Sequence, residues 1–296
     1  MAPSPNHGVN GHIKGSVLED KKSADDALNA VTVRLAENQE EIIAAQKLRY
    51  KVFYEECGAI PTNTAAMEKR DFDKYDDMAD HLLAIDPAKG PGMEGIVGTY
   101  RLIRQDRIPS GQNFYTSGEF DILPFLTCGG RLLELGRSCI LPEYRTRQML
   151  QRMWQGITAY VTDHNIDLMF GCASFNGTDV DAIHKQLAYL YHYHRAPKNL
   201  CPTGLPGRSV NMNLYPKDAL NEKEIFQSLP SLIKGYLRIG AKIGDGAYID
   251  HQFNTIDVCI VMPTYALTEK YLKHWERLNG RAMPKNQIAV GEKLVF

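Results

Sequence analysis

The sequence predicts an α/β fold with helices flanking a mixed central sheet, and three features carry that expectation. Arg131-Leu-Leu-Glu-Leu-Gly-Arg-Ser-Cys-Ile-Leu141 reads as one long strand, closed by Pro142. Residues 148–164 place Leu150, Met153, Trp154, Ile157 and Val161 at the period of about 3.6 residues that marks an amphipathic helix. Leu168-Met-Phe-Gly-Cys-Ala-Ser-Phe175 is almost uniformly apolar, as suits a central strand covered on both faces. Strand, helix, strand and a further helix in that order form a parallel crossover.

The other elements follow along the chain. Residues 1–29 are rich in Gly, Asn, Ser and charge and predict a disordered tail. Val31, Val33 and Leu35 alternate onto one face of a first strand. A helix over 40–56 carries the stripe Ile42, Ala45, Leu48 and Val52. The acidic run Asp71-Phe-Asp-Lys-Tyr-Asp-Asp77 precedes two strands, 81–85 and 96–103, joined across Pro87, Gly90, Pro91 and Gly92. Thr178-Asp-Val-Asp181 has the form of a capping box, opening a helix lined by Val180, Ile183, Leu187 and Leu190. Beyond Tyr215 the character changes. Residues 229–240 are amphipathic, 257–262 read as a strand and 267–278 as a last helix. The chain thus divides into a tail (1–29), a core (30–215) and a C-terminal α/β extension packed on that core (216–296).

Composition narrows the function. The 296 residues are 44% hydrophobic and 23% charged, ordinary for a globular protein, and a net charge of -1 gives no field that would favour nucleic acid. Six cysteines form no C-x-x-C pair and read as reduced thiols, mostly in apolar surroundings, of a cytoplasmic protein. The N-terminus has no apolar signal region, and no apolar run approaches the roughly 20 residues of a membrane span. Any membrane contact therefore lies at the surface, on the inner face of the cytoplasmic membrane. Its candidate is the stripe Leu229, Leu232, Ile233, Tyr236 and Leu237 beside Lys234, Arg238 and Lys242. That pattern fits an interfacial helix, and equally a stripe packed on the sheet with a solvated edge.

The chemistry concentrates on the long strand. Glu134 and Arg137 are charges within a buried element, costly unless paired or used. Strict alternation separates them onto opposite faces, and a bulge near Gly136 would bring them together. They read either as a structural ion pair or as a carboxylate that handles an amine proton beside an anion-binding arginine. Ser138 and Ser174 sit in no nucleophile elbow. His192 and His194 are read as a metal pair or as helix-end residues. A calcium loop over 71–82 fails, because Asp76 and Leu82 occupy the places of its glycine and its bidentate glutamate.

The order of elements resembles the GNAT fold. More narrowly, Leu48-Arg-Tyr-Lys-Val-Phe53, Asp71-x-Asp73-x-Tyr-Asp76, Gly98-Thr-Tyr-Arg-Leu102, Glu119-Phe-Asp121, Glu134-Leu-Gly-Arg-Ser-Cys139, Tyr144-Arg145 and Phe170-Gly-Cys-Ala-Ser-Phe175 are similar to the ornithine N-alpha-acyltransferase family. Asp245-Gly-Ala and Phe253-x-Thr-x-Asp257-Val also fit that family, and a sparser set, Arg49, Phe53, the aspartates from Asp71 to Asp76, Arg101 and Glu134-x-x-Arg137, is shared with acyl-homoserine-lactone synthases. The resemblance implies a GNAT-like sheet with a splayed parallel strand pair. It also implies transfer of a 3-hydroxyacyl group from acyl carrier protein to the α-amine of ornithine, with no cofactor beyond the carrier's phosphopantetheine arm. On that reading Glu134, Arg137 and Arg101 are catalytic, with Glu134 as base and an arginine on the substrate carboxylate. Arg49, Phe53, Asp71, Asp73 and Asp76 bind substrate, the aspartates facing ornithine's side-chain ammonium; a loop capped by local Asx hydrogen bonds is the alternative for them.

One departure bears on the donor. The turn Leu141-Pro-Glu-Tyr-Arg-Thr-Arg-Gln148 has no glycine, whereas acetyl-CoA users cradle a pyrophosphate on a glycine-rich turn. A single pantetheine phosphate needs no such cradle, and Arg145, Arg147 and the helix start at Gln148 are its expected partners. The rivals are synthesis of a homoserine lactone or another N-acyl amino acid, and a non-enzymatic lipid- or carrier-binding module. A buried acid–base set argues against the module.

Overall fold

The computed structural model describes residues 30–268, 271–273 and 276–277. The expected tail and much of the expected last helix lie outside the described residues. Ten strands form the sheet: β1 (Thr32–Leu35), β2 (Asp80–Ile85), β3 (Ile96–Arg104), β4 (Phe120–Asp121), β5 (Leu132–Ile140), β6 (Leu168–Asn176), β7 (Thr203–Gly204), β8 (Ser209–Val210), β9 (Lys242–Asp250) and β10 (Thr255–Pro263). Their order is β1-β2-β3-β5-β6-β10-β9-β7-β4, with β8 paired to β9. β1, β2, β3 and β5 run antiparallel to one another in succession, and so do β6, β10 and β9, while β5 with β6 and β9 with β7 are parallel. The helices are α1 (Gln39–Tyr50), α2 (Asn63–Glu68), α3 (Leu123–Leu126), α4 (Arg147–Asp163), α5 (His184–His194), α6 (Glu222–Ser228) and α7 (Ser231–Arg238).

The parallel junction of β5 and β6 is short. Only Leu132↔Leu168, Leu133↔Met169 and Glu134↔Phe170 are paired. Beyond them β5 stays with β3 and β6 stays with β10, which opens a wedge in the middle of the sheet. Gly171 stands at its apex, where a Cβ would lie 2.1 Å from the Leu135 carbonyl oxygen. Only glycine allows the two backbones to approach so closely before they part. On the other edge of β5, Arg137 and Ser138 oppose the single residue Tyr100, and Arg137 takes φ +48°. This is a β-bulge with an arginine in the left-handed conformation usually left to glycine.

Each face of the sheet has its own cover. Leu82 faces α4, since a Cβ on Gly156 of that helix would lie 3.1 Å from its methyls. Tyr100 faces α7 on the same side, its hydroxyl 3.5 Å from that of Tyr236. His81 projects to the opposite face, toward Asp76 and the α1 residue Arg49. On that side a second cluster forms from Phe114, Phe120, Ile122 and Phe125, packed on Phe170 with the Phe114 and Phe125 rings at 4.9 and 4.7 Å. The segment before β5, for which the sequence suggested no element, is therefore a lid over the sheet face that carries Glu134.

Several expectations need correction. The helix expected over 40–56 is α-helical only to Tyr50 and then widens into a π-helical turn, Lys51–Glu56. It buries Arg49 as well as Ala45, Leu48 and Val52, while Ile42 is half-buried. The capping box does not form. Asp179 Oδ1 accepts the Asp181 N–H in an Asx turn, Asp181–Ile183 makes a 3-10 turn, and α5 starts later at His184. Cys57 is exposed, unlike the other cysteines. β9 was not foreseen, and it enters the same sheet as β10, so the residues after 215 supply two strands beside β6. Leu229, Ile233 and Tyr236 are buried in the main core, and Leu232 and Leu237 pack against it. Lys234 donates to the Gln227 carbonyl, and Arg238 lies 5.3 Å from the centre of the Phe226 ring. The amphipathic stripe thus packs on the sheet and is not available for insertion into a membrane. No described helix is long and apolar enough to cross a membrane.

The apex supplies a test. Gly171→Ala is expected to lower stability by about 2 kcal/mol or more, because the clash is with backbone and cannot be relieved by a side-chain rotation. Gly136→Ala, whose Cβ would meet nothing within 4 Å, is expected to change stability little. Urea midpoints of the two variants against the parent check this, and equal midpoints would refute the close approach.

Candidate active site

The charges at the wedge arrange themselves into a lattice. Arg49 on α1 donates from Nε to Asp71 Oδ2 at 2.7 Å, from Nη1 to Asp76 Oδ1 at 2.8 Å and from Nη2 to Asp76 Oδ2 at 3.1 Å. Arg101 on β3 donates from Nη1 to Asp73 Oδ1 at 2.6 Å and Asp76 Oδ2 at 3.4 Å. Arg137 at the bulge donates from Nε to Asp71 Oδ2 at 3.2 Å and from Nη2 to Asp73 Oδ2 at 3.0 Å. Three guanidiniums and three carboxylates alternate, so their formal charges cancel. The aspartates also close their own loop: Asp76 Oδ2 accepts the Asp73 N–H and Asp73 Oδ1 accepts the Tyr75 N–H. Local Asx bonding, which the sequence offered as the alternative to ammonium binding, holds Asp73 and Asp76, and the ion pairs with the three arginines, which it did not offer, hold all three. Tyr54 donates to the remaining oxygen of Asp71.

Burial works to raise the Asp71 and Asp76 carboxyls, and the adjacent guanidiniums overcome it, holding both below the usual range. His81, beside Asp76, falls to about 4 through burial and then through the Arg49 charge. Arg137 is clamped between two rings, with Tyr115 at 4.7 Å and Phe253 at 4.5 Å from its guanidinium carbon. Phe53, half-buried, meets Phe253 edge-on at 5.9 Å.

The bulge brings Glu134 onto the same sheet face as Arg101 and Arg137, as anticipated, but does not pair Glu134 with Arg137. Glu134 instead accepts the Tyr115 N–H at 2.8 Å, the Thr116 N–H at 2.7 Å and the Thr116 hydroxyl. Burial raises its carboxyl, against the pull of the Thr116 hydrogen bonds. Both oxygens face the lid, so Glu134 pins Tyr115 and Thr116 over the wedge.

The sequence reading overlooked the acids on the other side of the wedge. Glu119 on the lid, Asp250 at the end of β9 and Asp257 on β10 are all buried, and one carboxylate oxygen of each lies within 4.8 Å of the others. Burial pushes the Glu119 and Asp257 carboxyls upward, and neighbouring carboxylates add to the shift. Cys172, which lies against Glu119, and Ser174, in register with Asp257, are the β6 residues just past the last parallel pair. Glu119 and Asp257 lay within motifs quoted for the resemblance, yet no residue spacing linked them to each other or to Asp250.

The donor-side turn is tied down. Arg145 forms a bidentate pair with Glu56 and donates from Nε to the Ile140 carbonyl at 2.9 Å. Thr146 caps α4 through the Met149 N–H. Arg147, the first residue of that helix, is exposed, and Gln148 is half-buried. A cleft of about 260 Å³ lies beside this turn, lined by Lys51, Val52, Glu55, Glu56, Leu141 and Pro142. A larger cleft of about 520 Å³, lined among others by Lys74, Asp77 and Arg107, includes none of the lattice or triad residues. His192 contacts the Tyr215 carbonyl and His194 the Tyr189 hydroxyl at the last turn of α5.

Comparison with known proteins gives the chain's family. The family model described as acetyltransferase (GNAT) domain matches residues 48–155. The L-ornithine N(alpha)-acyltransferase of Brucella abortus (strain 2308) is 44% identical over 251 residues, 84% of this chain and 89% of that protein. The protein of the same name from Agrobacterium fabrum (strain C58 / ATCC 33970) is 41% identical over 274 residues, 90% of this chain and 94% of its own. The chain belongs to the L-ornithine N(alpha)-acyltransferase family. It is an acyltransferase with a GNAT-like fold, as the motifs implied. Among solved structures, the N-acyl amino acid synthase FeeM from uncultured soil microbes aligns over 79% of this chain and 91% of its own, at 10% identity and a TM-score of 0.44.

In this acyltransferase Arg49, Arg101, Arg137, Asp71, Asp73 and Asp76 converge in one place, with Phe53 at its rim. Arg145 and Arg147 sit apart, at the far end of β5. The lattice gives a stability test. Asp76→Asn is expected to cost about 3–5 kcal/mol at pH 7, the usual effect of stranding a buried charge. The lowered carboxyls set the sign with pH. As pH falls the unfolded chain takes up protons first, so the stabilisation is complete above about pH 4–5 and is lost through the acid range. His81 adds a decline that begins near pH 6.5, the ordinary histidine value, and runs to about 4. Urea midpoints between pH 7 and 3 should therefore fall less steeply at the acid end in Asp76→Asn than in the parent.

Proposed function

We propose that the protein transfers a 3-hydroxyacyl group from acyl carrier protein to the α-amine of L-ornithine, giving lyso-ornithine lipid. The observation that carries the reading is the match to four curated L-ornithine N(alpha)-acyltransferases at 40–44% identity over 84–92% of the chain. The wedge supports it. Backbone N–H groups on the diverging edges of β5 and β6 lose their mutual partners and suit a developing oxyanion. Arg137 is fixed by two aspartates and two rings, with its side chain 11% exposed, and is placed to orient a substrate carboxylate.

In the reaction the amine nitrogen bonds to the thioester carbonyl carbon, the carbon–sulfur bond breaks, and the pantetheine thiol leaves with a proton. The ammonium must first be deprotonated, and Glu134 is assigned that proton, relayed through the Thr116 hydroxyl or a water. Proximity does the rest, because a free amine attacks a thioester without a covalent enzyme intermediate. The donor side rests on the turn after β5. It has no glycine, its first helical residue is the exposed Arg147, and Lys51 lines the cleft beside it. These basic groups fit one phosphate and the acidic surface of a carrier.

Expression in a host without ornithine lipids, followed by mass spectrometry of the lipids, tests the product. The expected result is a 3-hydroxyacyl-ornithine; acylation of a different amino acid, or no new lipid, overturns the acceptor assignment. In vitro, long 3-hydroxyacyl carriers should be used and acetyl-CoA hardly at all, so comparable kcat/KM for the two refutes the donor assignment. Glu134→Gln should lower kcat by about 10²-fold in a protein with unchanged circular dichroism. Near-normal turnover in that variant would leave Glu134 only its role of pinning the lid.

A further inference from the structure

Glu119, Asp250 and Asp257 have no part in the mechanism above, yet they form a built site. They are 4%, 7% and 5% exposed. Asp250 Oδ1 accepts the N–H groups of Gln252 and Phe253. Glu119, in contrast, meets only the Cys172 and Tyr115 side chains and Asp257 only Ser174 and Thr255, and one oxygen of each, Glu119 Oε2 and Asp257 Oδ1, has no partner at hydrogen-bond geometry among the described residues. Thr255, 8% exposed, is in register with Asp250 and lies on the same β10 face as Asp257, beside that carboxylate. Native folds leave few buried polar atoms unbonded, and carboxylates this close repel one another. The arrangement is complementary to a group that carries both a positive charge and several N–H donors.

Its position says which group. The triad borders the wedge at Cys172 and Ser174. Tyr115 lies between it and Arg137, against whose guanidinium it stacks. An amino acid held by its carboxylate at Arg137 and by its α-amine in the wedge would extend its side chain toward the triad. We propose that Glu119, Asp250 and Asp257 bind the side-chain ammonium of a diamino acid acceptor and thereby select it over amino acids with uncharged side chains. This deepens the ornithine reading above and rests on it. Three oxygens within 4.8 Å of one another suit one tetrahedral ammonium with N–H···O contacts of about 2.8–2.9 Å. Norvaline, which matches ornithine without the terminal nitrogen, leaves the buried oxygens unpaired and is rejected.

The test is calorimetric titration of the purified protein with L-ornithine and L-norvaline in the presence of EDTA, for the parent and for Glu119→Gln/Asp257→Asn. The parent should bind ornithine about 10²-fold more tightly than norvaline, and the double variant should bring that ratio close to one. The ligand-free double variant should also melt higher than the parent, because it removes mutual repulsion; a purely structural role for the acids predicts a lower melting temperature. A folded variant that keeps the ratio, or a parent that does not discriminate, overturns the proposal. So does discrimination that appears only when Ca²⁺, Mg²⁺ or Zn²⁺ replaces EDTA, which would make the triad a metal site. Should the double variant not fold, the single variants Glu119→Gln and Asp257→Asn are titrated in its place, and a ratio unchanged from the parent in both overturns the proposal. Turnover separates the two readings: discrimination without acyl-ornithine formation sinks only the activity, and acyl-ornithine formation with an unmoved ratio sinks only the triad.

Discussion

Arg137 can lie in the interior only because Asp71 and Asp73 neutralise it, and the same requirement runs through its neighbours. A buried charge without a partner is among the costliest features a fold can carry. One short loop supplies all three aspartates, and the three arginines come from α1, β3 and the β5 bulge. The lattice therefore fixes the relative positions of a helix, two strands and a loop at the point where the sheet opens. Because each carboxylate meets more than one guanidinium, no single member moves without leaving another unpaired. The left-handed backbone at Arg137 is tolerated within this framework, since the pairing on both sides over-determines it.

The wedge acquires two unlike walls. On the β5 side, Glu134 accepts three hydrogen bonds from the lid, which ties Tyr115 and Thr116 to the strand and leaves Arg137 between two rings. On the β6 side, the lid and the strands from the end of the chain bring three acids together with few donors to satisfy them. A neutralised arginine lattice and a triad of acids thus flank the place where β5 and β6 part. The lid makes both walls possible, since it contributes Tyr115 to one and Glu119 to the other.

The elements legible in the sequence were those with a local apolar signal: the helical period of α4, and the alternation or apolar runs of β1 to β3, β5, β6 and β10. β9 was not legible because Lys242-Ile-Gly-Asp-Gly-Ala-Tyr-Ile-Asp250 carries two glycines and three charges; its strand conformation depends on β10, not on its own pattern. The lattice residues were recognisable by type and motif, and the bulge followed from two charges placed three apart in an apolar strand. Their pairing was not, since which carboxylate meets which guanidinium depends on how a loop folds back across the sheet. Glu119 was hidden for the same reason. An acid in an irregular segment looks like a solvated charge until tertiary structure buries it. The capping box failed at short range, where Asp179 competed for the same N–H.

The place of β10 between β6 and β9 bears on how the protein is made. During synthesis β6 leaves the ribosome with one edge bare beyond its brief contact with β5, and the strand that covers this edge begins only at Thr255. Throughout the intervening stretch, from residue 176 to residue 255, an apolar central strand is open to pairing with any other extended chain. The nascent protein thus carries its greatest risk of misassembly in the late phase of translation, and chaperone occupancy is expected to be highest there.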